Sequence, residues 1–387
     1  MRRHSPRGFA ASRLLRWLIP VHLGVILLFI AGCGSNSSIL DPQGPTASKE
    51  ATLFWIILGV ATFVFVAVEG VLIYSVIRFR DRPGAPEPRQ IAGNTRLEIV
   101  WTIVPSFVLF VVLGVTISTL FAIQEPAGQP TIYVNAFGHQ WWWEFRYFEN
   151  AADAQANAQA VLNGQARGNP APDFYTADDL VVPVTTVAGQ PTSGTVVHVN
   201  LISDNVIHSF WIPQLSGKTD VIPGHMNHMW FTADKTGTYE GACAEFCGDQ
   251  HAHMRFRVIA ETMDDYNAWV QHQEQPASEP GPDSLAAQGK QLFFQGVFLN
   301  NQACISCHSI FGTSYNGVQA IGQSFAPNLT HFGSRDLIAG GVLTNTPDNL
   351  AQWLTDPQSI KPGSDMPYLG LSQPQVQALV AYLESLQ

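Results

Sequence analysis

The sequence predicts a multidomain membrane protein: a two-helix transmembrane hairpin, then a β-sandwich, then a helical C-terminal domain. Two long apolar runs occupy 54–77 and 98–121. From residue 131 the chain changes to short runs rich in Val, Thr and aromatics, separated by Gly, Pro and Asp, which is how strands of a sandwich or barrel read. Helical patterns return beyond a Pro-rich stretch at 273–283. At 387 residues there is room for two or three domains. Hydrophobic residues make up 46% and charged residues only 13%, a charge content low for a soluble chain. A net charge of −10 argues against a nucleic-acid partner, which would need a basic face.

The N-terminus suggests export. A basic stretch, MRRHSPRGFAASRLLRW, precedes an apolar one, LIPVHLGVILLFIAG, and small residues lead into Cys33. This describes a signal peptide of the lipoprotein type over 1–32, with Cys33 as the lipidated first residue of the mature chain. A signal anchor with an incidental cysteine is the alternative. The hairpin is assigned to 50–124. Each apolar run makes a helix of about 36 Å, enough to cross a hydrocarbon core of about 30 Å. The loop between them carries Arg78, Arg80, Arg82, Arg89 and Arg96 against Asp81 and Glu87. The positive-inside rule puts it in the cytoplasm and everything after about residue 124 outside. Pro105 predicts a kink in the return helix. Glu69 lies inside the first span, where a carboxyl is costly. A proton path and a neutral acid bonded to another helix both account for it. Glu98, at the cytoplasmic end of the second span, reads on physics alone as an interfacial acid.

The outer domain is assigned to 130–272. TIYVNAFG, LVVPVTTV, TVVHVNLI, HMWFTA and MRFRVIA predict strands, and 151–179, rich in Ala, Gln, Asn and Gly, predicts a surface insertion. Chemistry concentrates in CAEFCGDQHAHM. Cys243 and Cys247 are four apart, Gly248 permits a tight turn, and His251 and Met254 follow. Thiolate and thioether are soft ligands, and imidazole suits copper and zinc alike. Structural zinc uses closer cysteines and no methionine. A Cys243–Cys247 disulfide is the bland alternative in an exported protein. One blue copper needs a single thiolate, whereas two thiolates can bridge two metals. Each metal then needs a capping nitrogen, so a second histidine must come from another loop. His208, in NVIHSFWIP, is placed to supply it. Standing alone, it would read as a satisfied histidine at a strand end.

NVIHSFWIP, GKTDVIPG, CAEFCGDQHAHM and GHQWWWEF together resemble subunit II of haem–copper cytochrome c oxidases, over residues 54 to about 259. The resemblance implies a cupredoxin-like sandwich holding a dinuclear copper A centre. It implies that Cys243 and Cys247 bridge both coppers. His208 and Met254 would complete one copper, and His251 with the backbone carbonyl of Glu245 the other. The Glu245 side chain would bind a magnesium ion shared with subunit I. Trp141 would be the point where electrons enter, with Trp143 in the same aromatic cluster. Glu98, in EIVWTIVP, would stand at the mouth of a proton-uptake channel. His225, His228 and His253 match no family ligand and are expected at the surface or in loops.

Past the stretch at 273–283, which reads as a linker, lies CISCH in a domain assigned to 284–387. C-x-x-C-H attaches c-type haem: Cys304 and Cys307 would form the thioethers and His308 would bind the iron. Helices are expected in SLAAQGKQLFFQG, TPDNLAQWLTD and SQPQVQALVAYLESL; the latter two open with Thr or Ser and an early proline. Beyond His308 only Met366 and His331 could supply the sixth ligand. Met366 is expected to do so, since methionine raises the haem potential, and His331 is expected at the surface or beside a propionate. GSDMPYLG and APNLTHFGSR, with Pro327 lining the haem, resemble an all-α class I cytochrome c domain. The five cysteines divide into one for lipid, two for copper and two for haem. The whole chain is thus similar to the fused subunit II of a caa-type oxidase. That implies a two-pass protein of the bacterial inner membrane, with copper and haem domains on the extracytoplasmic side. Electrons from an external cytochrome c or other respiratory donor would reach haem c, then copper A, then haem in subunit I. There dioxygen would be reduced to water, coupled to proton translocation. The copper-A subunit of a nitric oxide reductase and a standalone membrane-bound electron carrier remain the alternatives.

Overall fold

The computed structural model describes residues 37–387 except 85, 88–89, 127–130, 166, 185–194, 300–301 and 322–325. Cys33, the expected leader and Arg89 therefore lie outside the described residues. Helix α1 (Pro45–Arg78) starts with proline at its first position, and α2 (Thr95–Ala122) is capped by Asn94, whose side chain accepts from Leu97 N. Each contains one of the expected spans, and α2 continues through Pro105. The first turns of α1 do not belong to the apolar run. There Thr46, Ala47 and Ala51 are buried, and Gly44 stands so close to the Leu215 and Thr232 carbonyls that a Cβ would come within 3.0 and 2.6 Å. Lys49 donates to the Ala122 carbonyl, joining the outer ends of the two helices. Further along, Phe63, Phe65, Phe107 and Phe110 are exposed, as a lipid-facing surface requires.

The outer domain is a sandwich of two five-stranded sheets. Its strands are β1 (Thr131–His139), β2 (Trp142–Phe148), β3 (Phe174–Ala177), β4 (Asp179–Pro183), β5 (Val196–Ser203), β6 (His208–Trp211), β7 (Lys218–Val221), β8 (Asn227–Phe231), β9 (Gly237–Cys243) and β10 (Arg255–Glu261). One sheet runs β3-β2-β1-β5-β8 and the other β4-β10-β9-β6-β7. Trp143, Phe145, Phe210 and Phe256 fill the space between them. The Phe210 and Phe256 rings stack at 4.3 Å, and Trp143 meets both edge-on at 5.1 and 5.5 Å. Gly241 makes that stack possible, because a Cβ there would overlap the Phe256 ring.

The segment 151–179 is not a surface insertion. Its helix α3 (Ala151–Leu162) buries Ala154, Asn157 and Ala158, with Ala158 packed on Phe137 and Ile202. Asn135 donates to Asn157 Oδ1 at 3.2 Å, and 174–177 is strand β3 itself. Small side chains let α3 lie close to the sheet, so a composition that looks like a loop belongs to packed structure. The Pro-rich stretch is likewise tied down. Ala277 is buried and its N–H donates to Phe311 O at 3.1 Å, while Glu279 pairs with Lys290 at 2.5 Å and accepts from Thr313 at 2.8 Å.

Helix α4 (Met263–Gln273) closes the sandwich. The C-terminal domain contains, among the described residues, the three expected helices α5 (Leu285–Gln295), α6 (Pro347–Thr355) and α8 (Gln373–Glu384), with the short α7 (Pro357–Ile360) between the last two. Ser284 and Thr346 cap α5 and α6 by accepting from Ala287 N and Asn349 N. Two short hairpins, β11 (Ser309–Tyr315) with β12 (Val318–Ile321) and β13 (Leu337–Ile338) with β14 (Leu343–Thr344), are added to this helical frame. Helix α5 crosses α8 at Gly289, where a Cβ would overlap the Ala378 carbonyl and lie 2.6 Å from Tyr382 Cβ. Alanine gains about 1 kcal/mol in helix propensity over glycine, but overpacking a crossing costs about 1–3 kcal/mol, and the struck atom is backbone that cannot step aside. Gly289→Ala is therefore expected to lower the midpoint of thermal unfolding of the C-terminal domain, followed by circular dichroism; an unchanged or raised midpoint would contradict the close crossing.

Candidate functional site

The register of β6 against β9 sets Phe210 opposite Cys243 and so brings His208, at the start of β6, beside the end of β9. Cys243 Sγ lies 3.8 Å from His208 Nδ1, 3.8 Å from Cys247 Sγ and 3.2 Å from the Glu245 carbonyl oxygen. Cys247 Sγ lies 3.6 Å from His251 Nδ1 and 3.8 Å from Met254 Sδ. The loop is pinned at both ends: Cys243 N donates to Met254 O at 3.0 Å and Ala244 N to Ser209 O at 2.9 Å. A one-turn 3₁₀ helix, His251–His253, turns His251 back toward the thiols. All six donors expected from the sequence thus meet in one place.

Their spacing fits metal. Both cysteines are free and buried, and donors sharing a tetrahedral first-row metal at about 2.3 Å stand roughly 3.8 Å apart. Soft sulfur with imidazole suits copper. His208 is oriented by Asn205, whose Oδ1 accepts from Nε2 at 3.0 Å and leaves Nδ1 facing the sulfur. Gly138 leaves room for that ring, since a Cβ there would come within 2.8 Å of His208 Cδ2. The hydrogen bond shared with the Cys247 thiol pulls the Cys243 pKa well below the usual thiol range, with burial opposing and His208 assisting. The same bond, with burial, pushes Cys247 far up.

Trp141 is 8% exposed. Its Nε1 donates to Cys247 O at 3.0 Å, and Gln140 Nε2 donates to the same carbonyl at 2.7 Å. Trp143 packs edge-on against His208 at 6.0 Å. On the other side of Trp141 lies a crevice lined by Cys304, Cys307, His308, Pro327 and Met366 from the C-terminal domain, and by Trp141, Trp142 and Asp178 from the sandwich. A 3₁₀ turn at Cys304–Ser306, closed by His308 N donating to Cys304 O at 2.9 Å, presents both thiols and the imidazole to this cavity. His308 Nδ1 donates to Pro327 O at 2.8 Å, which commits one ring nitrogen and frees Nε2 for a metal. Burial lowers its pKa, against the Pro327 carbonyl, favouring the neutral ligand form. With Phe298, Leu329, Phe332 and Leu369 as apolar walls, the crevice suits a porphyrin.

His331 is buried but does not line this crevice. It packs at a tilt against His272 at 4.6 Å, and its Nε2 lies 3.3 Å from Gln273 O. The expectation of a surface or propionate-side histidine is corrected: the ring fills the seam between α4 and the C-terminal domain. His225, His228 and His253 are exposed, as expected. Glu245 is exposed beside the sulfurs. Glu98 is exposed at the start of α2 and accepts from Asn94 N at 3.3 Å, a local capping contact; Glu69 is exposed on α1.

Sequence reasoning missed Asn205, Gln140, Asp178 and Lys361. Asn205 stands three residues before a candidate ligand, which is the one local signal among them; Gln140 and Asp178 act on distant segments of the sandwich, and Lys361 acts across domains. Burial pushes Asp178 up to about 6, against the Trp143 N–H, and pushes Lys361 down to about 8, against the Asp178 charge.

Residues 132–261 match the periplasmic domain of cytochrome c oxidase subunit II, residues 35–117 its transmembrane domain, and residues 286–387 cytochrome c. The cytochrome c oxidase subunit 2 of Alkalihalophilus pseudofirmus is 37% identical, over 94% of this chain and 96% of its own. This chain belongs to the cytochrome c oxidase subunit II family. The subunit 2 of Bacillus sp. strain PS3 is 33% identical, over 97% of this chain and 98% of its own. The periplasmic domain of the Bradyrhizobium japonicum subunit II superposes on 39% of this chain and 96% of its own, at 24% identity and a TM-score of 0.29. Subunit II is part of an oxidoreductase, the haem–copper oxidase complex. The subunit II periplasmic domain implies copper A and the cytochrome c domain implies haem c. With two apolar helices before the periplasmic domain, the chain is a two-pass membrane protein.

In the metal-free protein, one of the two loop thiols is expected to ionise well below the usual cysteine range and the other well above it. Thiolate ultraviolet absorbance, compared with Cys243→Ser/Cys247→Ser, measures this; two ordinary thiol titrations would contradict the mutual hydrogen bond. Gly138→Ala is expected to displace His208 and alter the visible spectrum of the copper-loaded protein, with little change in the haem bands.

Proposed function

We propose that this chain relays electrons into a proton-translocating cytochrome c oxidase of the bacterial inner membrane, accepting them at haem c and passing them by copper A to haem in subunit I, where dioxygen is reduced to water. The observation that carries this reading is the convergence of two imidazoles, a thioether and a carbonyl on two adjoining thiols, each 3.2–3.8 Å from one of the sulfurs. Bound copper A and haem c would each supply a one-electron couple.

In this reading Cys243 and Cys247, with His208, Met254, His251 and the Glu245 carbonyl, would hold the copper pair. Cys304 and Cys307 would anchor the porphyrin, and His308 and Met366 would hold its iron. The sandwich keeps the first set rigid. Its sheets fix both ends of the loop, Asn205 holds one imidazole, and the Trp143–Phe210–Phe256 cluster excludes water behind it. Rigid ligands change position little between oxidation states, which lowers the cost of each electron transfer.

The loop has two distinct sides. Trp141 and Gln140 cover the Cys247 carbonyl on the side facing the haem crevice. Glu245 and Phe246, the latter 76% exposed, stand open to solvent. This asymmetry supports a donor on the Trp141 side and a docking face for subunit I on the other, where the Glu245 carboxylate is free to share a magnesium ion. Glu98, at the cytoplasmic end of α2, is assigned to the mouth of a proton-uptake path. An external cytochrome c or another respiratory donor would then reduce the haem domain first.

His208→Asn/Met254→Leu in the purified complex tests the reading. Loss of the copper A signal, haem c bands retained, and a fall in dioxygen turnover of about 100-fold or more are expected, since even outer ligand partners are worth about 10–100-fold. Normal turnover would refute the copper assignment. Consumption of nitric oxide in place of dioxygen by the unaltered complex would refute the oxidase.

A further inference from the structure

Lys361 sits five residues before Met366, on the rim of the haem crevice, and is 3% exposed. Its ammonium donates to Trp141 O at 2.5 Å and to Ala339 O at 3.0 Å. One bond therefore crosses to the sandwich and the other stays within the C-terminal domain. A buried ammonium is costly unless its protons are satisfied, and a methionine could fill the same space without a charge.

The surroundings are shaped for this contact. Gly340, at φ +71°, leaves the space the ammonium occupies: a Cβ there would overlap Lys361 Nζ and come within 2.8 Å of Trp141 O. Gly363, at φ +83°, gives the turn that lays the loop beside the indole, its Cβ position 3.6 Å from Trp141 Cη2. Gln250, next to His251, donates to Pro362 O at 2.8 Å. The loop 361–363 thus grips the two segments that border the sulfur cluster, and Trp141 both lines the haem crevice and hydrogen-bonds to Cys247 O.

Building on the copper A and haem c reading, we propose that Lys361 is a positioning residue. It fastens the haem-bearing domain onto the Trp141 carbonyl, so that the tethered haem domain itself occupies the electron-accepting face of the sandwich. Trp141 is then contacted at once by the crevice that holds the haem and by the backbone of a copper ligand. An external donor has no access to it while the domains are docked.

The test uses the intact oxidase complex with Lys361→Met, which keeps the length of the side chain and removes the charge. A hydrogen bond from a charged donor is worth about a tenfold shift in a docking equilibrium. Amide hydrogen exchange over 339–341 and 361–363 should therefore quicken about tenfold. Electron transfer from photoreduced haem c to copper A should slow, while the haem and copper spectra and the haem potential stay as in the unaltered complex. Gly340→Ala, which crowds the ammonium from the other side, should act in the same direction and serves if Lys361→Met does not load haem. Exchange and interdomain transfer at unaltered rates in these variants would overturn the proposal, as would a changed haem potential with unaltered exchange, which would make Lys361 part of the haem site alone. Exchange is read with or without metal, so failure of the copper and haem assignments is distinguishable from failure of the latch.

Discussion

The register between β6 and β9 is the constraint on which the site depends. Neither strand alone holds a metal centre: β9 ends in one thiol, and β6 begins with one imidazole. Pairing Phe210 with Cys243 puts those ends side by side, and the loop that follows only has to fold back. A slip of one residue would turn His208 to the opposite face of the sheet. The register is held by burial, because Phe210 lies in the aromatic stack with Phe256 and Trp143. The hydrophobic core and the ligand set are thus consequences of the same pairing.

The same economy appears between the domains. Cys247 O accepts from Gln140 and from Trp141, so the carbonyl beside a candidate ligand sulfur is satisfied by the very residues that line the crevice of Cys304, Cys307 and His308. The turn that carries them is crowded on its outer side by loop 361–363. Arg257 reinforces the contact, pairing with Asp179 at 2.8 Å within the sandwich and with Asp336 at 3.3 Å across the seam. A buried lysine, a half-buried arginine and glycines shape this contact, and that favours a defined orientation over a merely sticky one.

Much of the candidate site was legible because its signals are local. Cys243, Cys247, His251 and Met254 fall within one loop, and Cys304, Cys307 and His308 within one turn, so spacing alone points to chemistry. His208 was legible only because a two-thiolate centre demands another nitrogen. The segment 151–179 misled because alanine and asparagine were read as loop composition, whereas Ala158 packs against Phe137 and Asn157 bonds to Asn135. His331 misled because a lone histidine carries no local sign of its neighbours, and its burial is decided by His272 from a different domain.

By itself, the sequence determined which atoms are available and how they are grouped: two spans long enough for a bilayer, a strand-rich region with a soft-ligand loop, and a haem-attachment turn among helices. These follow from periodicity, length and ligand chemistry, which act over a few residues. Only the tertiary structure decided that Trp141 faces both centres, that Asn205 turns His208 toward sulfur, and that Lys361 reaches from one domain to a carbonyl of the other. Those contacts join residues up to 220 positions apart. Their free energy depends on burial and on hydrogen-bond partners that exist only once the chain has closed on itself.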